Sequence, residues 1–231
     1  MADEGLRRLE RRVRAGDTDA LARLLRERVR HGELPVERLR LLHLLDDRLA
    51  TRALDEEPLA EMPLQDWVRL LEPLGPEVLV RTAVALARAV LRRDEPYSVR
   101  AIRGAEAWVL QQDVERAREA GLAADSIADR RRAIDDRLHD SVEAAEAAAR
   151  VAQFATLPVA PFPPRMDSPY WLRMCAGYAG RACPGGEAEA RERVREDLEP
   201  WALMRGDPIA ARRAGRSGID DASVEGAPIA P

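Results

Sequence analysis

The sequence predicts an all-α protein: a multi-helix orthogonal or antiparallel bundle around a buried central helix, residues 76–92, with a disordered C-terminal tail. Three observations predict it. Leu, Ala and Val supply most of the apolar content and aromatics only 4%, a mixture that suits helices and lacks the residues strands prefer. Apolar residues recur at spacings of three and four between Gly and Pro stops, as amphipathic helices require. Finally, PEVLVRTAVALARAVL (Pro76–Leu91) is apolar on nearly every side, with Arg81, Thr82 and Arg88 interrupting its Val, Leu and Ala residues. A helix of that kind belongs at the centre of a bundle.

The elements follow in order. Asp3–Arg14 reads as a charged first helix with Leu6, Leu9 and Val13 on one stripe. Gly16 ends it, and Asp17 or Thr18 caps the next helix, Asp19–His31. Gly32 and Pro35 mark a stop and a new start. Val36, Leu39, Leu42 and Leu45 continue the pattern, a short helix Asp47–Leu54 closes the region, and Leu64–Leu71 is a brief helix before the central one.

Beyond Asp94-Glu95-Pro96 come Tyr97–Gln111, Val114–Gly121 and the longest candidate, Ala123–Phe154. That last segment spans roughly 45 Å if unbroken, and its small-residue half, AAEAAARVAQFA, lets a neighbouring helix approach closely. Five prolines between Leu157 and Pro169 rule out regular helix there and make residues 157–169 a Pro-rich, extended connector. SPYWLRMCAGYAGRA and Glu187–Trp201 are the final helices. The expected organisation is a single helical domain over 1–204, with a joint near 93–97, and a tail without periodicity over 205–231.

Charge and composition bound the partners. All 37 basic residues are Arg, because the chain has no Lys, and it has no Asn either. A GC-rich genome explains this without nucleic-acid binding. With 41 acids the net charge is −4, and the signs alternate along the helices as on solvated, ion-paired faces. Arg7, Arg8, Arg11, Arg12 and Arg14 form the most basic patch, yet a globally acidic chain lacks the footprint of a nucleic-acid binder. Cys175 and Cys183 fit neither a zinc signature nor a disulfide scaffold. No apolar run approaches the ~20 residues that span a bilayer. These features predict a cytoplasmic protein with reduced thiols, no membrane contact and a protein partner.

Chemistry is bounded by what is missing. Without Lys there is no Walker-A lysine and no pyridoxal Schiff base, and no G-x-G-x-x-G, G-x-S-x-G or H-E-x-x-H occurs. No catalytic or cofactor-binding residue is predicted. Asp136, His139 and Glu143 fall on one helical face and resemble half of a carboxylate-bridged metal site. The matching Glu-x-x-His is missing, and His43-x-x-Asp46 is the only loose counterpart, so an exposed, salt-bridged face is the preferred account. Cys175, near Arg173 and Arg181, has either a lowered thiol pKa or, as the preferred reading, a place in the core. Trp108, Trp171, Trp201, Tyr170 and Tyr178 read as core fillers first and interface anchors second.

The succession GDTDALARLLRERVRHGELPVERLRLL, PEVLVRTAVALARAVL, VRAIRGAEAWV, an Ala-rich helix and VREDLEPWAL resembles a group of uncharacterised all-helical bacterial proteins over about residues 14–203. The block Arg100–Val109 with its downstream Ala-rich helix is also similar to immunity proteins of polymorphic toxin systems. Asp46-Asp47-Arg48 departs from the pattern, standing where such proteins tend to carry a small Gly-containing turn. The resemblance implies a non-enzymatic protein-binding module, an immunity-type toxin inhibitor. The alternative is a small-ligand or metal-dependent helical enzyme using the Asp136, His139 and Glu143 face.

Overall fold

The computed structural model describes residues 2–91, 95–130, 138–156 and 167–216. Among them are twelve α-helices, one 3-10 turn at Glu72–Leu74 and no strand. The helices are α1 (Ala2–Arg14), α2 (Thr18–Arg30), α3 (Val36–Leu44), α4 (Arg48–Leu54), α5 (Leu64–Arg69) and α6 (Pro76–Val90). They continue with α7 (Pro96–Gln111), α8 (Val114–Arg130), α9 (His139–Thr156), α10 (Ser168–Ala182), α11 (Gly186–Ala202) and α12 (Pro208–Arg216). No helix among the described residues is long and apolar enough to cross a membrane.

Among the N-terminal helices, α2 and α4 each follow a backbone turn and start at an acidic cap, whereas α3 and α5 start after Pro35 and Pro63. Gly16 (φ 85°) ends α1, and its amide and that of Asp17 return to the carbonyls of Val13 and Arg12. The Asp17 carboxylate then accepts from the Ala20 amide, 2.9 Å away, and caps α2. The same device recurs at Asp46-Asp47. Asp46 takes the left-handed turn (φ 61°), its amide and that of Asp47 reach His43 and Leu42, and Asp47 caps α4 through Leu49 and Ala50. Aspartate is one of the few residues that tolerate this conformation, so Asp46 does the work of the glycine expected there.

Helix α6 is buried as predicted, from Val78 through Ala87 and again at Val90. It shares the centre with α9, which packs against α6, α7, α8 and α10. Ala144, Ala145, Ala147, Ala148, Ala149 and Ala152 are all fully buried. Small side chains on several faces of one helix are what let four neighbours close on it. The indole N–H groups of the two fully buried tryptophans are satisfied too. Trp67 donates to the Leu44 carbonyl at 2.7 Å and Trp108 to the Thr156 hydroxyl at 2.6 Å. One continuous apolar cluster runs from Ala22 to Ile209, across both sides of the 93–97 joint.

Two boundaries differ from the sequence reading. Gly121 does not stop a helix: α8 runs through it to Arg130, and α9 begins at His139 and packs back on α8, so the segment 123–154 is not one rod. The tail expected from residue 205 contains α12, with Ile209 buried and Asp207 as its cap; residues 217–231 lie outside the described residues. So do residues 157–166 of the Pro-rich connector.

Candidate functional site

The C-terminal end of α11 meets the N-terminal helices around a solvent-open pocket of about 210 Å³. Its walls are apolar: Leu21 and Leu25 from α2, Leu34 from the turn after it, Leu49 from α4, and Leu203 and Met204 just past α11. Its rim is charged, with Arg28, Glu33, Asp47, Glu199 and Arg205. An apolar hole with a polar rim is the anatomy of a protein–protein anchor site. The volume is below the roughly 300–1,000 Å³ of small-molecule sites. It exceeds the about 150 Å³ cavity that accepts benzene, so one large apolar side chain fits.

The rim charges are mostly committed. Asp47 spends its carboxylate on the α4 cap, and Glu199 pairs with Arg195 at 3.3 Å. Arg28 is different. Its Nε–H is closed off from water yet makes no hydrogen bond, and the Glu33 carboxylate, 3.9 Å away, is too distant to accept one. A buried donor without an acceptor costs about 1–3 kcal/mol, although the Arg28 side chain as a whole is 42% exposed.

Met204 is the second unusual feature. Its φ is 57°, a left-handed turn that returns its amide to Trp201 O and that of Arg205 to Pro200 O. A long side chain there costs about 1–2 kcal/mol, and such strain persists only where the surroundings impose it. Met204 is also 60% exposed, a large apolar side chain standing at the pocket lip.

The lip is held from behind. Trp201 lies under two guanidinium groups, Arg38 of α3 at 4.3 Å and Arg81 of α6 at 4.2 Å, and Arg38 donates to the Trp201 carbonyl at 3.1 Å. Arg81, buried within α6, donates to Glu77 and, with both terminal nitrogens, to Asp207. Burial alone would push the Asp207 carboxyl up. The Arg81 hydrogen bond and charge and the amides of Ala210 and Ile209 more than offset this and hold it below the usual carboxylate range. Beyond it, Glu106 of α7 is fully buried and accepts from Arg88 at 2.6 Å and from Arg212 at 3.3 Å, while Arg212 also grips Asp197 of α11 with two nitrogens. An open polar groove of about 410 Å³ runs beside these residues, and its Arg88, Arg193 and Arg212 are all ion-paired.

The residues singled out by sequence sit elsewhere. His139 opens α9, exposed, with its ring edge-on to Tyr178 at 6.5 Å between centroids. Its neighbour Asp140 pairs with Arg181 at 2.8 Å, which agrees with a salt-bridged face, but Glu143 is buried rather than part of that face. Asp136 lies outside the described residues. Among the described residues no cluster of three His, Cys, Asp or Glu side chains could hold a metal.

Cys175 is a core residue, its thiol 3.4 Å from the Ala144 carbonyl and 3.6 Å from that of Ala83. Burial pushes the thiol up, against the lowered pKa that Arg173 and Arg181 had suggested. Those arginines are turned to Glu72 and Asp140.

Leu21 and Leu25 stand four residues apart within the predicted helix Asp19–His31, a spacing that gives no sign of a pocket opening beside them. Nothing in the string around Met204 marks a left-handed residue, because the glycine that usually signals one is missing. No family model matches the chain, and no curated protein and no solved structure is significantly similar to it.

Proposed function

We propose that this chain is a non-enzymatic protein-binding module whose docking site is the apolar pocket between α2, α4 and the end of α11. One observation carries the reading: a side-chain-sized apolar hole whose wall includes a buried Arg28 N–H without an acceptor. Together these fit one bulky apolar residue of a partner protein, with the Leu, Met and Phe class filling the hole and a neighbouring carbonyl accepting from Arg28. The exposed Met204 supplies an adaptable lip, since thioethers repack readily around different shapes. An immunity-type inhibitor of a toxin is the form of this function that the Arg100–Val109 resemblance favours.

The test is affinity capture from the native host with wild type, with Leu49→Trp, which fills the pocket, and with Leu122→Ser on the exposed face of α8 as a control. The expected result is one stoichiometric partner held by wild type and by the control but lost by Leu49→Trp, provided that variant keeps the wild-type circular dichroism spectrum. A partner retained equally by a folded Leu49→Trp protein places binding elsewhere and removes the reading. Panning a displayed peptide library gives a second readout, in which enrichment of a single bulky apolar position is expected.

A further inference from the structure

The pocket lip runs straight into α12. Leu203, Met204 and Arg205 are followed by Gly206, whose φ of 145° favours glycine, and then by Asp207. Helix α12 is nine residues long, too short to keep its shape in water without docking. Ile209 is its one buried residue among those described. The rest of its attachment is ionic and reaches three other helices. Asp207 joins Arg81 of α6, and Arg212 joins Glu106 of α7 and Asp197 of α11. Arg213 adds a hydrogen bond to the Arg103 carbonyl of α7 at 3.2 Å.

Two features make this a latch rather than an ordinary piece of core. A single carboxylate, that of Asp207, both caps α12 and binds Arg81, so the first turn of the helix and its docking are lost together. The apolar contribution is one side chain, whereas α6 buries nine apolar residues and α9 eight. Elements with few buried apolar contacts are those that open separately from the whole. We infer that α12 is a releasable strap, latched by the Arg81–Asp207 and Arg212–Glu106–Asp197 pairs, whose docking fixes the Leu203–Arg205 lip of the pocket. When it is docked, the lip is anchored through Gly206 on one side and Trp201 on the other. When it is released, the lip keeps only the Trp201 anchor and the pocket loses a defined wall. The strap regulates the proposed binding site, and that consequence alone rests on the binding reading; the latch itself does not.

Hydrogen–deuterium exchange of the full chain, read by mass spectrometry, tests it. In wild type at low salt, the amides of 203–216 are expected to be protected, though less than those of α6. Asp207→Asn keeps a good helix cap but removes the charge, and Arg212→Gln removes the other pair at a distance from the cap. Each variant is expected to raise exchange across 203–216 about tenfold or more while α6 is unchanged. Raising ionic strength on wild type, which shortens the screening length from about 10 Å to about 3 Å, is expected to act in the same direction and needs no substitution.

The inference is overturned if 203–216 exchanges in step with α6 under every condition, since α12 is then integral to the fold. It is equally overturned if those amides are unprotected in wild type at low salt, or if Arg212→Gln leaves their exchange unchanged, since the Arg212–Glu106–Asp197 pair then takes no part in holding α12. The pocket reading fails by a different measurement, retention of the partner by folded Leu49→Trp, so the two are separable.

Discussion

Arg81 and Asp207 lie 126 residues apart in the chain and meet in a two-pronged pair, with Nη1–Oδ1 at 3.0 Å and Nη2–Oδ2 at 2.7 Å. Arg81 sits in the most apolar helix of the bundle with its side chain 4% exposed. A guanidinium buried to that degree needs partners on every open side, and Glu77, Asp207 and the Trp201 ring supply them. The pair therefore ties the last described helix to the middle of the core.

Its strength should depend on pH in a defined direction. The folded-state pKa of Asp207 is held below its ordinary value of 3.8. A depressed carboxyl contributes stability that is complete above the unfolded value and is lost as pH falls through the folded one. Asp207→Asn is nearly neutral as a cap, so it isolates the ion pair. At pH 7 the variant should be less stable by about 1–2 kcal/mol, and nearer the lower figure because the carboxylate is 27% open to water. Chemical denaturation from pH 7 to pH 2 checks this. The two stability curves should converge only below pH 4, and convergence near neutrality would contradict the geometry.

Met204 carries a strain that can be removed. Gly at the left-handed position recovers about 1–2 kcal/mol of steric cost and gives back about 0.5–1 kcal/mol in unfolded-state freedom. Met204→Gly should therefore raise stability by about 0.5–1 kcal/mol and weaken partner binding, since the lip side chain is lost. The midpoint of urea unfolding and the affinity of the captured partner, measured on the same preparation, test both halves. A variant that is less stable than wild type would mean the turn is not strained.

The thiols should be silent in the native state. Burial pushes Cys175 up, and Cys183 is raised by burial first and then by the charge of Glu189. Both lie under 5% exposed, and the thiolate is the reactive form. Iodoacetamide at pH 8 should label neither in the folded protein and both in denaturant, as mass spectrometry would report. Fast native labelling of Cys175 would show that the α6–α9–α10 contact opens.

Most of the helices were legible in the sequence because their signals are local. Asp17, Asp47, Pro76 and Ser168-Pro169 stand where a first turn needs a cap or a fixed φ, and each opens a helix. What stayed hidden depends on residues distant in the chain. PIAARRAGR has too little apolar content to read as a helix, and it is one because Glu106 and Asp197 hold its Arg212 while Arg81 holds the Asp207 that caps it. The pocket was equally hidden, since its leucines show the same periodicity whether they fill a core or line a hole. The metal candidates were suggested by spacing alone, and spacing does not say that Glu143 is buried while His139 is exposed.

Glycine shows the same ambiguity, and two of them give opposite predictions. Gly121 read as a stop, but it lies inside α8, where an added Cβ would come within 2.7 Å of the Gln153 amide end. That group is the far end of a flexible side chain and can move. Gly104 lies inside α7, where an added Cβ would be 3.1 Å from Ala120 Cα and 3.6 Å from its N, both backbone atoms of α8. Alanine gains about 1 kcal/mol of helix propensity at either site. At Gly121 that gain should roughly offset the displaced Gln153, leaving stability within about 0.5 kcal/mol of wild type. At Gly104 two helix backbones must separate, an overpacking cost of about 1–3 kcal/mol, so Gly104→Ala should be destabilised on balance. Urea midpoints at unchanged m-value distinguish the two. If Gly104→Ala is the more stable protein, α7 and α8 do not approach as closely as described, and the α7–α8–α9 layer must be packed more loosely.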